Sequence, residues 1–281
     1  MPFSQLISIS RPRFWLYELG TFLIGVFAGL TFLSSEILVP VIVFAFYFLF
    51  PANLLIYGIN DVFDYETDLK NPKKFGYEQV LDKNVHLKTL LLIALSSVPF
   101  ALYALTLGLA TAGAFLAFLL FAIFYSAPPV RAKTKPFIDS FFSAGHYVAT
   151  GVFGYLLVGG GSDWLLLAVA GMCWATAMHA YSAVPDIKAD RAVGMKTIAI
   201  LFGVKGTVLL CAILYTTSAV ISFFFIGWVS FLLLLPYWYL LYLSYNKSSG
   251  SLMPIYKKFP YLNAGVGMIL TIIVLLQSPL L

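Results

Sequence analysis

The chain has 281 residues, of which 61% are hydrophobic and only 10% charged, with a formal net charge of +5. Soluble domains carry about 25% charged residues, so at a mean hydropathy of +0.92 no water-surrounded core can hide this much apolar surface. Lipid must act as the solvent, which excludes a soluble enzyme or a soluble binding module.

In chain order the sequence predicts nine apolar segments, at 14–33, 37–60, 87–106, 109–127, 137–159, 164–185, 207–226, 228–245 and 261–280. Each is close to the roughly 20 residues that cross the hydrocarbon as a helix. The expectation is a single integral-membrane domain over 1–281, all-α, with about nine transmembrane helices in one bundle. The N-terminal MPFSQLISISRPRFW lacks the basic, apolar and small-residue order of a signal peptide, so the first helix is expected to remain in the mature protein. With the N-terminus inside, the inner regions are 1–13, 61–86, 128–136, 186–206 and 246–260, and all 17 Lys and Arg lie in or beside them. The outer loops hold Glu36 and Asp163 and no base. This positive-inside pattern predicts a cytoplasmic N-terminus. It also accounts for the bases without a nucleic-acid partner. Cys173 and Cys211 fall in apolar segments, where a lone cysteine behaves as a small hydrophobe.

The second segment runs straight into NDVFDYETD, residues 60–68, with Asp61, Asp64, Glu66 and Asp68. The sixth ends in a similar way, with Asp186 and Asp190 four residues apart. Each cluster is followed by bases and a glycine, a weak internal repeat that predicts two four-helix halves and a ninth helix. Residues four apart share one helix face. Asn53, Tyr57, Asn60, Asp64 and Asp68 form one such stripe; Thr176, His179, Ser182 or Ala183, Asp186 and Asp190 form the other. Polar groups on membrane helices face the bundle interior, so both stripes are expected to line a central cavity with carboxylates at its cytoplasmic mouth.

Two aspartate pairs beside Lys and Arg suit Mg²⁺ held together with a diphosphate, since that cation takes one or two carboxylates plus substrate phosphates. Metal and bases then stabilise the charge on a departing diphosphate. Departure from an allylic carbon leaves a cation that a dry, aromatic cavity protects and stabilises through ring faces. Aromatic residues make up 17% of the chain.

Asn60-x-x-x-Asp64-x-x-x-Asp68 with Asp186-x-x-x-Asp190 resembles the two aspartate-rich motifs of the UbiA superfamily of intramembrane prenyltransferases. YSAPPVRAKTKP, residues 125–136, resembles that family's loop after helix 4, and DIKADRAVGMKTIAILFG its second signature. The likeness runs over nearly the whole chain. It implies a helical bundle around a laterally open cavity, Mg²⁺-dependent ionisation of an allylic diphosphate, and prenyl transfer to a lipophilic isoprenoid acceptor. SRPRFWLY at 10–17, the stretch 48–74 and HAYSAVPDIKADRAVG at 179–194 are similar to lycopene elongases, which implies dimethylallyl diphosphate as donor and a carotenoid as acceptor. A quinone precursor, an aromatic acceptor and a glycerol phosphate are the alternatives. An ion-coupled transporter is a distant one, since transport sites lie near the bilayer midplane and these aspartates lie at helix ends.

The residues expected to carry the chemistry are Asp64, Asp68, Asp186 and Asp190 as Mg²⁺ ligands, with Asn60 as a further ligand or orienting group. Arg131, Lys133, Lys73, Lys74 and Lys196 are candidate diphosphate contacts, although topology alone would also place bases there. Tyr125 is expected beside the allylic cation; Asn53, Tyr57 and His179 line the same stripes, and His179 is read first as a hydrogen-bonded core histidine. Asp61 ranks below its neighbours, Glu66 reads as a solvated face, and Arg13 as a topological charge. Glu18 is an acid inside the first apolar segment with no local partner, so it should be protonated or face the cavity. Pro51 is expected to kink the second helix and Pro185 to break the sixth.

Overall fold

The computed structural model describes residues 1–32, 34–69, 80–192 and 194–279. Among them the chain is helical and connected by short turns. The elements are α1 (Phe3–Ser10), α2 (Trp15–Gly29), α3 (Ser35–Leu49), α4 (Pro51–Phe63), the single turn α5 (Tyr65–Asp68), α6 (His86–Leu105) and α7 (Leu109–Ser126). They continue as α8 (Ile138–Leu157), α9 (Trp164–Ser182), α10 (Ile187–Ala192), α11 (Ile198–Ile226), α12 (Val229–Tyr245), α13 (Met253–Tyr256) and α14 (Phe259–Gln277).

Each predicted apolar segment overlaps a helix, but nine crossings do not follow from the helices themselves. Among the described residues, six helices or merged helix pairs are long and apolar enough to cross a membrane, and Val229–Tyr245 is a shorter apolar helix. Two predicted segments fall short for physical reasons. The first forms only the 15-residue α2. The fifth, α8, carries buried Asp139, Ser140, Ser143, His146 and Thr150 along its length.

Breaks fall at two prolines. The chain leaves helical geometry at Phe50 (φ −123°, ψ −62°), and Pro51 starts α4, where its missing N–H costs nothing. The freed carbonyls are answered from one turn on: Asn53 Nδ2 donates to Phe48 O and Leu49 O, each at 3.0 Å. Asn53 is 1% exposed. This corrects its expected place on the substrate stripe, because its amide is spent on the kink. The sixth helix ends at Ser182; Val184–Asp186 forms a 3-10 turn and α10 follows. Inside α11, Gly203 adopts φ 64°, a left-handed value that glycine accepts without cost; the stretch before it turns away from the following membrane span.

Two apolar clusters make the core. In one, Phe22, Phe44, Phe48, Phe115 and Phe153 interlock, with the Phe44 and Phe153 rings 4.5 Å apart. The other gathers Tyr181, Tyr215, Tyr237, Leu252 and Phe259, with Tyr215 stacked on Tyr237 at 4.3 Å. The first cluster draws on residues up to Val158 and the second begins at Ala177, so the core divides after α8 and not after the fourth predicted segment.

α8 is the central helix, packed along α2, α7 and α9. Its approach to α2 is glycine-made. A side-chain carbon on Gly25 would collide with the Gly151 carbonyl, and one on Gly154 would stand 2.5 Å from Phe22 O. In lipid no hydrophobic force drives helices together, so close backbone packing through small residues takes its place. Replacing Gly25 by valine is expected to destabilise the protein by about 1–3 kcal/mol, read as a lowered thermal midpoint in detergent. Gly20→Ala, where nothing lies within 4 Å of the added carbon, should leave the midpoint unchanged.

Candidate active site

The two aspartate clusters sit where helices end. Asp64 caps α4, its N–H bonded to Asn60 O at 2.9 Å, and Asp68 N bonds Asp64 O at 2.8 Å across α5. The i,i+4 spacing therefore survives the change from α4 to α5. Asp61, Asp64 and Asp68 are all buried, at 5%, 6% and 7% exposed, a costly position that demands partners. Asp186 ends the 3-10 turn and Asp190 lies on α10, both half-buried.

The bases come from the loop between α7 and α8 and from the N-terminus. Lys133, itself buried, is in ion-pair contact with Asp64 Oδ2, and Arg131 approaches Asp64 Oδ1 at 3.6 Å. Burial pushes the Lys133 ammonium down to about 7, against the supporting field of Asp61. Arg11 pairs with Asp61 at 2.7 Å and lies 4.6 Å over the Tyr57 ring. Sequence reading missed this pair, because no spacing rule links residue 11 to residue 61; the left-handed backbone of Arg11 (φ 52°) at the end of α1 turns it inward. Glu66 pairs with Lys83 at 2.7 Å on the surface, the solvated face expected of it. Lys196 is exposed. Lys73 and Lys74 lie outside the described residues.

Below the carboxylates a polar floor joins four helices. Asn60 Nδ2 donates to Ser126 Oγ at 3.1 Å, tying α4 to α7. The Tyr125 hydroxyl meets His179 Nε2 at 3.1 Å, and Ser140 Oγ meets His179 Nδ1 at 3.0 Å, so α7, α8 and α9 converge on one imidazole. Both nitrogens of His179 are engaged, as a core histidine requires. Asp139, fully buried, accepts from Ser140 N at 2.7 Å and from Ile198 N at 3.0 Å; it holds the start of α8 against the start of α11.

Among the described residues no three His, Cys, Asp or Glu side chains form a ready cation cage. The acids are instead divided between two helix ends. Hard oxygen donors at two helix ends, the first beside a basic loop, fit Mg²⁺ that completes its shell with phosphate oxygens and water.

A cavity of about 860 Å³ opens next to this floor, bounded by α2, α8, α9, α11, α12 and α14. Its walls include Tyr17 and Tyr147 toward the start of α2, Trp174 and Tyr237 midway, and Gln277 and Ser278 at the far end. None of the clustered aspartates lines it, which corrects the expectation of a single cavity with carboxylates at its mouth. The acidic site and this apolar space are neighbours, joined through the rings of Tyr57, Phe14 and Tyr17.

The profile of the UbiA prenyltransferase family matches residues 20–276. The chain belongs to the UbiA prenyltransferase family. The lycopene elongase/hydratase of Halobacterium salinarum is 37% identical over 270 residues, covering 96% of each chain. That of Haloarcula japonica is 36% identical over 273 residues, covering 96% of this chain and 90% of the relative. The structure of a UbiA homolog from Archaeoglobus fulgidus bound to DMAPP and Mg²⁺ superposes with a TM-score of 0.68 at 17% identity, covering 95% of this chain and 98% of that one. This UbiA protein is accordingly an integral-membrane prenyltransferase.

Removing the Arg11 guanidinium is expected to cost this prenyltransferase about 1–3 kcal/mol, because Asp61 loses a charged hydrogen-bond partner at a buried position. Arg13→Ala, at an exposed site, should stay within about 0.5 kcal/mol of the parent. Thermal unfolding of both variants in the same detergent separates the two arginines.

Proposed function

We propose that this prenyltransferase moves a dimethylallyl group from its diphosphate to lycopene or a related carotenoid. The observation that carries the reading is the pair of carboxylate groups at α4–α5 and at α10, with Lys133 and Arg131 against Asp64. Relatives named lycopene elongase/hydratase support the acceptor, and the homolog bound to DMAPP and Mg²⁺ supports donor and metal. In this reading the mouth of the site faces the cytoplasm, as does the N-terminus, and α2 and α8 cross the membrane with the more apolar helices to give nine crossings.

Asp64, Asp68, Asp186 and Asp190, with Asn60, would hold Mg²⁺, which supplies charge neutralisation to the leaving diphosphate. Arg131, Lys133 and Lys196 bind the diphosphate oxygens from the basic loops, with Lys73 and Lys74 completing the rim. The Tyr125 hydroxyl, fixed by His179, faces the carbon that loses the diphosphate. Tyr57, with Phe14 at 5.5 Å and Arg11 on its face, keeps water from that carbon. No Lys or Arg lies midway along an apolar segment to bind an acceptor carboxylate, and the neighbouring cavity is lined mostly by aromatic and aliphatic side chains. A hydrocarbon acceptor fits such walls.

Purified protein with Mg²⁺, radiolabelled dimethylallyl diphosphate and a panel of acceptors including lycopene is expected to place label in a heavier carotenoid, and EDTA should abolish it. Asp64→Asn and Asp186→Asn are each expected to lower turnover by about 10²-fold or more while the protein still folds; wild-type rates at matched expression would remove these residues from the site. Lys133→Met should raise the KM for the diphosphate by about tenfold, roughly 1.4 kcal/mol of lost contact, with a smaller effect on kcat.

A further inference from the structure

One buried carboxyl–imidazole pair stands apart from everything used above. Glu18 on α2 is 1% exposed, inside an apolar span, where a carboxylate persists only with a partner. It has one. His146 Nδ1 on α8 lies 2.6 Å from Glu18 Oε1, and Thr150 Oγ donates to Oε2 at 2.8 Å. His146 is 5% and Thr150 0% exposed. The glycine contact between α2 and α8 brings these side chains together across 128 residues of sequence.

The two interior histidines are built differently. His179 has both nitrogens occupied by hydroxyls, from Tyr125 and Ser140, and no carboxylate on its ring. His146 has a carboxylate on Nδ1, while its Nε2 makes no hydrogen bond among the described residues. A carboxylate on Nδ1 fixes the tautomer that leaves Nε2 with its lone pair, and it stabilises the imidazolium that forms when Nε2 takes a proton. Of the two rings, His146 is the one equipped to carry charge.

Its surroundings are those of the reaction space. The His146 ring centroid is 4.1 Å from that of Tyr147, which lines the apolar cavity and lies 6.5 Å from Tyr17 on the opposite wall. Tyr17, the residue before Glu18, lies 5.9 Å from the Phe14 ring, which in turn lies 5.5 Å from Tyr57. Tyr57 is on α4, just under one turn further from the aspartates than Asn60. The pair thus lies directly behind the cavity wall, whose Tyr17, Leu19 and Tyr147 flank it in sequence.

We propose that the Glu18–His146 pair is the proton acceptor that ends the reaction, an inference that rests on the prenyl transfer to an alkene acceptor proposed above. In that transfer the C–O bond to the diphosphate breaks and its electron pair leaves on oxygen. The acceptor alkene pair forms the new C–C bond, leaving a tertiary cation on the acceptor. The cation is discharged in one of two ways. Either an adjacent C–H pair collapses to a double bond, or a water molecule adds to form an alcohol. In both cases one proton is released, and Nε2 of His146 takes it, held by the Glu18 charge until it leaves with the product diphosphate or water. Without this acceptor the new C–C bond reverts, and the allylic cation is captured by water as dimethylallyl alcohol.

The test compares wild type, His146→Gln and Glu18→Gln in lipid nanodiscs with Mg²⁺, labelled dimethylallyl diphosphate and lycopene. Diphosphate released, labelled carotenoid and labelled dimethylallyl alcohol are counted together, and the carotenoid is weighed for an added water. Wild type should release about one diphosphate per prenylated carotenoid. In the variants that ratio is expected to rise at least tenfold, toward the roughly 10²-fold worth of a general base, with label diverted to the alcohol. A purely structural role would lower both readouts together and leave the ratio unchanged. An unchanged ratio in a folded variant overturns the inference and assigns the proton to the leaving diphosphate. Failure of both variants to fold also overturns it, making the pair a stability element. Absence of labelled carotenoid from the wild type removes the acceptor reading itself, a result distinct from any seen in the variants.

Discussion

Hydrocarbon does not solvate charge, and that single constraint arranges the polar residues of this protein. Carboxylates, bases and amides survive only at helix ends or in contact with one another in the interior. Asp61, Asp64 and Asp68 are buried at the end of α4 and in α5, and Arg11, Arg131 and Lys133 come to them from the N-terminus and the loop after α7. Deeper in the bundle the same rule leaves a short polar ladder: Asn60 on Ser126, Tyr125 and Ser140 on His179, Glu18 on His146.

Backbone proximity makes the ladder possible. Gly25 and Gly29 of α2 lie against Gly151 and Tyr155 of α8, and Gly154 of α8 against Phe22 and Val26, at distances that no added side chain would allow. At that separation a glutamate on one helix reaches a histidine on the other without either side chain stretching. The kink between α3 and α4 plays a comparable part: Asn53 satisfies the carbonyls that Pro51 leaves open, and the redirected α4 delivers Tyr57, Asn60 and Asp64 to the site. Asp139 does the same at the other side, bonding the first turns of α8 and α11.

In the proposed reaction the apolar cavity and the charged site divide the work between them. A diphosphate needs charge and a polyene needs none, so placing both demands in one space would expose the acidic groups to hydrocarbon or the reacting cation to water. Here the tyrosines 17, 57, 125 and 147 stand at the boundary. Their ring faces stabilise positive charge, while their hydroxyls still offer hydrogen bonds, as Tyr125 does to His179.

The sequence by itself determined the solvent, the helical class and the acidic pairs. Those are local properties: apolar run length measures a membrane crossing, and a four-residue spacing puts Asp64 with Asp68 and Asp186 with Asp190 on one helical face. Pro51 and Pro185 announced their breaks for the same reason, since a missing N–H acts where it stands. Tertiary structure decided the partners. Glu18 seemed alone because His146 is 128 residues away; Arg11 met Asp61, 50 residues on, only through the fold; and Asn53 shared the stripe of Asn60 but turned to the kink. No periodicity encodes such pairings, nor the 860 Å³ cavity beside the site. They arise from how closely helices approach, which glycines on two distant segments set together.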